Sequence, residues 1–175
     1  MKKFYTIIIL ILSTCVCAHD KTHWVEIGDG TYDYGFDFPY KIKLYVPFGV
    51  RDIPDIKEGL FPMKFELSWL LFDSSQKGVQ DLFANQIKDN YLDKESHKLS
   101  EIVIGYFLKK LPTVKKHDSW TFTYYPDEGT KLYIDEKMIH HLVGAELNRA
   151  LVQSWLNKNP ALTANLFNRL IKLQR

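Results

Sequence analysis

The chain has 175 residues, with 23 Lys and Arg against 21 Asp and Glu, 46% hydrophobic side chains, 14% aromatic ones and two cysteines. A formal charge of +2 is no electrostatic footprint for nucleic acid, so that partner class is set aside. The length suits one domain, burying roughly two thirds of the surface that its unfolded chain exposes.

The N-terminus reads as a targeting segment over residues 1–18. Lys2 and Lys3 form the charged region, Ile7 to Leu12 the apolar run, and Val16-Cys17-Ala18 the small-residue cleavage pattern. The run is too short for a lasting span, and His19-Asp20-Lys21-Thr22 follows at once, so the expectation is a periplasmic or secreted protein with no stable membrane span. Leu12-Ser13-Thr14-Cys15 loosely resembles a bacterial lipobox, which makes a lipid anchor the alternative. Cleavage after Ala18 removes Cys15, Cys17, Lys2 and Lys3. Residues 19–175 then hold 21 basic and 21 acidic side chains and no thiol, so their stability must come from packing.

Thr22 to Ile27 reads as a strand that ends at Gly28-Asp29-Gly30. From Tyr32 to Tyr40 the even positions are aromatic, the two-residue period of a strand with one dry face, and Pro39 marks an edge or bend. Lys41 to Val46 continues as a strand. Residues 47–60, with two prolines and two glycines, read as a surface loop. Phe61 to Phe72 is a long strand, and Asp73-Ser74-Ser75 offers caps for a helix to about Asn90 with Val79, Leu82, Phe83 and Ile87 buried. Asp93 caps a further helix from Lys94 to Leu111, with Leu99, Ile102, Val103, Tyr106 and Phe107 inside. Pro112 stops it.

Trp120 to Lys137 predicts a β-hairpin turned by Pro126-Asp127-Glu128-Gly129. After Gly144, the spacing of Leu147, Ala150, Leu151 and Trp155 predicts an amphipathic helix. Asn159-Pro160 starts a last one, striped by Leu162, Leu166 and Leu170. Strands, two helices, a hairpin and two helices give an α+β class: an antiparallel sheet with helices packed on one face.

Motifs for catalysis and metals are sparse. There is no Gly-x-Ser-x-Gly elbow, and Gly28-x-Gly30 opens no helix. His140-His141 is the one close histidine pair, and in extended chain its rings point to opposite faces and cannot share an ion, so no metal and no cofactor is expected. The aromatic run is either core packing or the wall of an apolar pocket. Ser154, on the apolar stripe of its helix, either bonds back to Ala150 or faces a cavity.

The stretch from Gly144 to Pro160, with its G-x-x-x-N-R-x-L-x-x-x-W-L pattern, resembles the C-terminal helices of secreted bacterial chalcone isomerase-like proteins. Gly28-Asp29-Gly30-Thr31-Tyr32, followed by Tyr40 to Val46, is similar to the family's G-x-G-x-R segment and next strand. The resemblance implies an open-faced sandwich of chalcone isomerase type, with a cleft for an apolar molecule between sheet and helices. It also implies a departure. The enzymes' arginine corresponds to Tyr32 and their strand threonine to Tyr40, while Ser154 stands at their Ser or Thr and Asn85 at their asparagine. A phenol donates a hydrogen bond but supplies no fixed cation.

The expectation is therefore a protein with no catalytic residue that binds a small apolar ligand, a fatty acid (as plant relatives of the family do) or a flavonoid-like molecule. Tyr32, Tyr40 and Ser154 would be the polar handles, with Asn85 nearby and Trp155 as a wall. Two alternatives stand beside it. One is an isomerase on a phenolic, chalcone-like substrate, for which Lys41 or Lys43 must supply the cation. The other is an envelope protein-interaction module without a pocket, contacting an unknown protein partner through the Arg51 to Glu58 loop.

Overall fold

A computed structural model of the chain describes residues 22–34, 37–70, 73–88, 98–156 and 160–173. The proposed targeting segment, the helix end at Asn90 and the Asp93 cap lie outside the described residues, as do the side chains of residues 33–38 and Leu99. Six strands form one antiparallel sheet in sequence order: β1 Trp24–Tyr34, β2 Asp37–Pro47, β3 Met63–Trp69, β4 Ser119–Tyr125, β5 Gly129–Ile134 and β6 Lys137–Leu142. Helices α1 Ile53–Glu58, α2 Gln76–Ile87, α3 Lys98–Lys110, α4 Glu146–Leu156, α5 Pro160–Leu166 and α6 Asn168–Leu173 complete the fold. This is the expected α+β open-faced sandwich.

Alternation sorts the two faces of the sheet. Tyr40, Ile42 and Leu44 of β2 face across to Trp69, Leu67 and Phe65 of β3, and these to Trp120 and Phe122 of β4, all buried. Lys41, Lys43, Tyr45, Lys64 and Glu66 take the other face. The buried stripes of α2 and α4 and the last helices seal the inner face, with Leu147, Ala150, Leu151 and Trp155 buried together with Leu162, Leu166 and Leu170. The expected last helix is interrupted at Phe167 into α5 and α6. Among the described residues, no helix is long and apolar enough to cross a membrane.

Four readings of the sequence are corrected. β1 runs through Gly28 and Gly30 instead of ending there, because α5 lies directly on them: a Cβ at Gly28 would stand 2.2 Å from the Asn165 carbonyl oxygen. The aromatic period from Tyr32 to Tyr40 belongs to two strands, since Tyr32 pairs with Tyr40 across the β1–β2 hairpin. The 47–60 loop contains α1, whose Asp52 side chain accepts from the Asp55 N–H at 2.9 Å and whose end is turned by Gly59 in left-handed backbone. Finally, α3 is rotated from its expected stripe. Ile104, Phe107 and Leu111 are buried, while Ile102 is 71% and Tyr106 56% exposed.

Candidate functional site

Of the residues singled out from sequence, Tyr32, Tyr40, Ser154 and Trp155 meet on the inner face, and Asn85 does not. β2 presents Tyr40, fully buried, and α4 lays Trp155 against it, so that the indole Nε1–H donates to the Tyr40 hydroxyl at 2.8 Å. That hydroxyl in turn donates to Gln86 Oε1 on α2 at 2.9 Å. Ser154 donates back to the Ala150 carbonyl at 2.6 Å and lies 3.3 Å from the Gln86 carbonyl. Three elements that share no local sequence are thus tied through one phenol.

Tyr32 lies on the inner face, 8% exposed, its ring stacked on Tyr40 with centroids 5.1 Å apart and planes at 7°. Trp69 meets Tyr40 edge-on and Phe83 stacks beyond it. Asn85 is exposed on α2, whereas its neighbour Gln86, which the sequence did not single out, turns inward and is buried. A buried glutamine amid Val79, Phe83 and Ile87 was the available signal, because an amide on an apolar stripe needs a polar partner.

Burial pushes the Tyr40 phenol well above its ordinary value, and Tyr32 beside it adds to the rise, outweighing the hydrogen bonds from Trp155 and to Gln86. The ring stays neutral, a donor and acceptor rather than a phenolate. The cations named in the alternative reading, and the arginines among the described residues, lie elsewhere. Lys41 pairs with Asp29 at 2.6 Å and Lys43 with Glu26 at 3.4 Å on the outer face, and Arg51, Arg149 and Arg169 are exposed. The indole N–H groups of Trp69 and Trp120, in contrast, are buried and meet no acceptor among the described residues.

His140 and His141 face opposite sides of β6. His140 stacks on Phe107 with planes at 6°, while His141 Nε2 lies 2.8 Å from the Glu128 carbonyl. Among the described residues, no group of three or more His, Cys, Asp or Glu is arranged to hold a metal.

Clefts open on the described surface. One, of about 750 Å³, lies on the outer face of the sheet among Lys64, Glu66, Thr121 and Tyr133. Another, of about 420 Å³, separates α1 from α5 and α6.

Residues 34–170 match the model of a family described as chalcone isomerase-like. Among solved structures, a fatty-acid binding protein of Arabidopsis thaliana superposes with a TM-score of 0.62 at 13% identity, over 84% of this chain and 88% of that one. A search of curated proteins returned no match. At that identity the structural likeness speaks for the fold alone.

Proposed function

From a chain that belongs to the chalcone isomerase-like family, we propose a non-catalytic protein that holds a small apolar ligand such as a fatty acid, exported by its first 18 residues to the periplasm or the exterior. One observation carries the reading: at the positions where the family resemblance puts an arginine and a threonine, two neutral phenols stack on each other inside the sheet. Closing a flavanone ring calls for a fixed positive charge beside the developing phenolate. Lys41 and Lys43, the nearest candidates in sequence, are paired with carboxylates on the other face, which argues against the isomerase alternative.

Ligand binding draws support from the surroundings of the two phenols. The side chains around them are aromatic and apolar, with few polar groups, a composition that small-molecule sites share with protein cores. The buried Trp69 and Trp120 N–H groups each cost roughly 1–3 kcal/mol while unmet, and an oxygen on a bound guest would remove that cost. The plant protein that shares the fold binds fatty acids, which makes a long acyl chain the first guest to try. Native mass spectrometry of the protein as purified, with displacement of a fluorescent fatty-acid analogue, tests the proposal. A retained or displaceable acyl ligand is expected. Protein that is empty by the first measurement and unresponsive in the second overturns it.

A further inference from the structure

The cleft between α1 and the C-terminal helices has chemistry of its own. Ile53, Leu156, Phe167 and Ile171 give it apolar walls, Ala164 is exposed within it, and Lys57 and Thr163 are its polar members. Its volume of about 420 Å³ lies within the usual range of small-molecule sites, about 300–1,000 Å³. The Thr163 hydroxyl is committed to the Leu156 carbonyl at 2.5 Å, which leaves Lys57 as the polar group available to a ligand head.

Lys57 is held at the groove rather than loose in solvent, its Nζ lying 5.8 Å from the centroid of the Phe167 ring. Among the described residues no carboxylate pairs with it. The helices opposite add none: residues 160–173 contain no Asp or Glu but do contain Arg169 and Lys172. Arg169 is engaged with Glu26, while Lys172 adds to the positive field. The acids of α1 and its cap are Asp52, Asp55 and Glu58, none of which lines the groove, and Asp52 is occupied as the helix cap.

An apolar trough with one ammonium beside it matches an amphiphile with one negative charge. We propose that this groove binds a free long-chain carboxylate, the acyl chain lying along Ile53, Phe167 and Ile171 and the carboxylate meeting Lys57. The site is separate from the Tyr32–Tyr40 cluster, and the inference does not depend on what that cluster holds. Because lysine is a point charge without the forked geometry of arginine, the groove discriminates by charge and chain length, not by head shape. Each added methylene that finds the wall tightens binding about two- to fourfold, the upper figure applying to full burial.

Titration calorimetry with dodecanoate, dodecyl sulfate and dodecanol, each below its micelle or solubility limit, tests this on the full chain. The two anions are expected to bind alike and about threefold to fivefold tighter than the alcohol, the range of a partly exposed ion pair. Lys57→Met keeps an apolar stem, so it should erase that preference while leaving alcohol binding in place. Ala164→Trp should fill the groove and remove the Lys57-dependent binding event, lowering the stoichiometry by one site, and a diazirine-bearing fatty acid should label α1, α5 or α6.

Equal binding of anion and alcohol to the unaltered protein, or a preference that survives Lys57→Met, overturns the proposal. So does labelling confined to β1 and β2. Affinity and stoichiometry left unchanged by Ala164→Trp, with all binding lost in Tyr32→Ala, would defeat the groove and leave the preceding reading standing. Sedimentation with phosphatidylglycerol vesicles in the absence of monomer binding would likewise defeat it, marking the groove as a membrane-facing surface.

Discussion

The Trp155 indole donates to the Tyr40 hydroxyl across 115 residues of chain, which fixes α4 to β2 at a single buried atom. Tyr40→Phe removes that atom and little volume, so it isolates the polar tie from the packing. The indole N–H then loses its acceptor in a site with no access to water, and a buried donor left unmet costs roughly 1–3 kcal/mol. Thermal unfolding of the variant should show a lower Tm with the fold retained by circular dichroism. An unchanged Tm would mean that the hydrogen bond contributes nothing net to stability.

Gly28 and Gly105 make opposite predictions for the same chemical change. At Gly28 an added methyl collides with the Asn165 and Leu166 carbonyl oxygens, 2.2 and 2.4 Å away, and backbone cannot move aside cheaply. Gly28→Ala should therefore destabilise by about 1–3 kcal/mol or more as α5 is pushed off β1. Gly105 lies inside α3 with nothing within 4 Å of its would-be Cβ. Gly105→Ala should stabilise by about 0.5–1 kcal/mol through helix propensity. Paired urea denaturation curves check both signs at once.

Which parts of this architecture could be read from the chain follows from how local the deciding forces were. The stripe Leu147, Ala150, Leu151 and Trp155 buried as its spacing predicted, because one apolar face decides a helix. Ser154 bonded back to Ala150 for an equally local reason. The β1 glycines misled because their cause is 137 residues away, in the approach of Asn165 to Gly28. α1 was overlooked although Asp52, Pro54 and Gly59 are ordinary start and stop signals, since a six-residue helix has too few turns to show a period. β6 went unseen for a different reason: its turn, Asp135-Glu136, lacks the glycine that announces a tight hairpin. In the buried cluster, Tyr40, Ser154 and Trp155 stood out in the sequence as polar or aromatic members of apolar stripes. Gln86, the partner of Tyr40 and Ser154, was not singled out, because only the folded register of α2 against β2 brings it to the phenol.

His140 gives the fold a pH dependence of definite sign. Burial against Phe107 lowers its pKa below the ordinary 6.5, with Lys110 and His141 pushing the same way. The folded chain therefore prefers neutral His140, and the unfolded chain binds the proton more readily. Stability from this group is complete above about pH 6.5 and is lost as pH falls from there through the lower folded value. Glu66 is separable. Burial pushes its carboxyl up, but hydrogen bonds from Lys64 and Tyr45 prevail and hold it below 4.5, outside that window. His140→Phe keeps a flat ring over Phe107 and removes the titration. Denaturation midpoints compared at pH 7.5 and 5.5 should fall less in this variant than in the unaltered protein, and identical falls would remove His140 as the cause.

The turn between β5 and β6 carries strain that substitution can relieve. Ile134 pairs with Lys137, leaving Asp135 and Glu136 as a two-residue loop with φ of 48° and 65°. Positive φ at both central positions is the type I′ pattern, which Asn-Gly adopts with least strain. Left-handed backbone costs a residue with a Cβ roughly 1–2 kcal/mol, and glycine escapes that cost although it gives back some chain entropy. The double change Asp135→Asn with Glu136→Gly should therefore stabilise the chain by about 1 kcal/mol net. Both side chains are exposed, so no packing is lost, although both border the cleft on the outer face. Chemical denaturation should move to a higher midpoint with an unchanged slope. Glu136→Pro, which forces φ near −65°, should do the reverse and loosen β6 from the sheet edge.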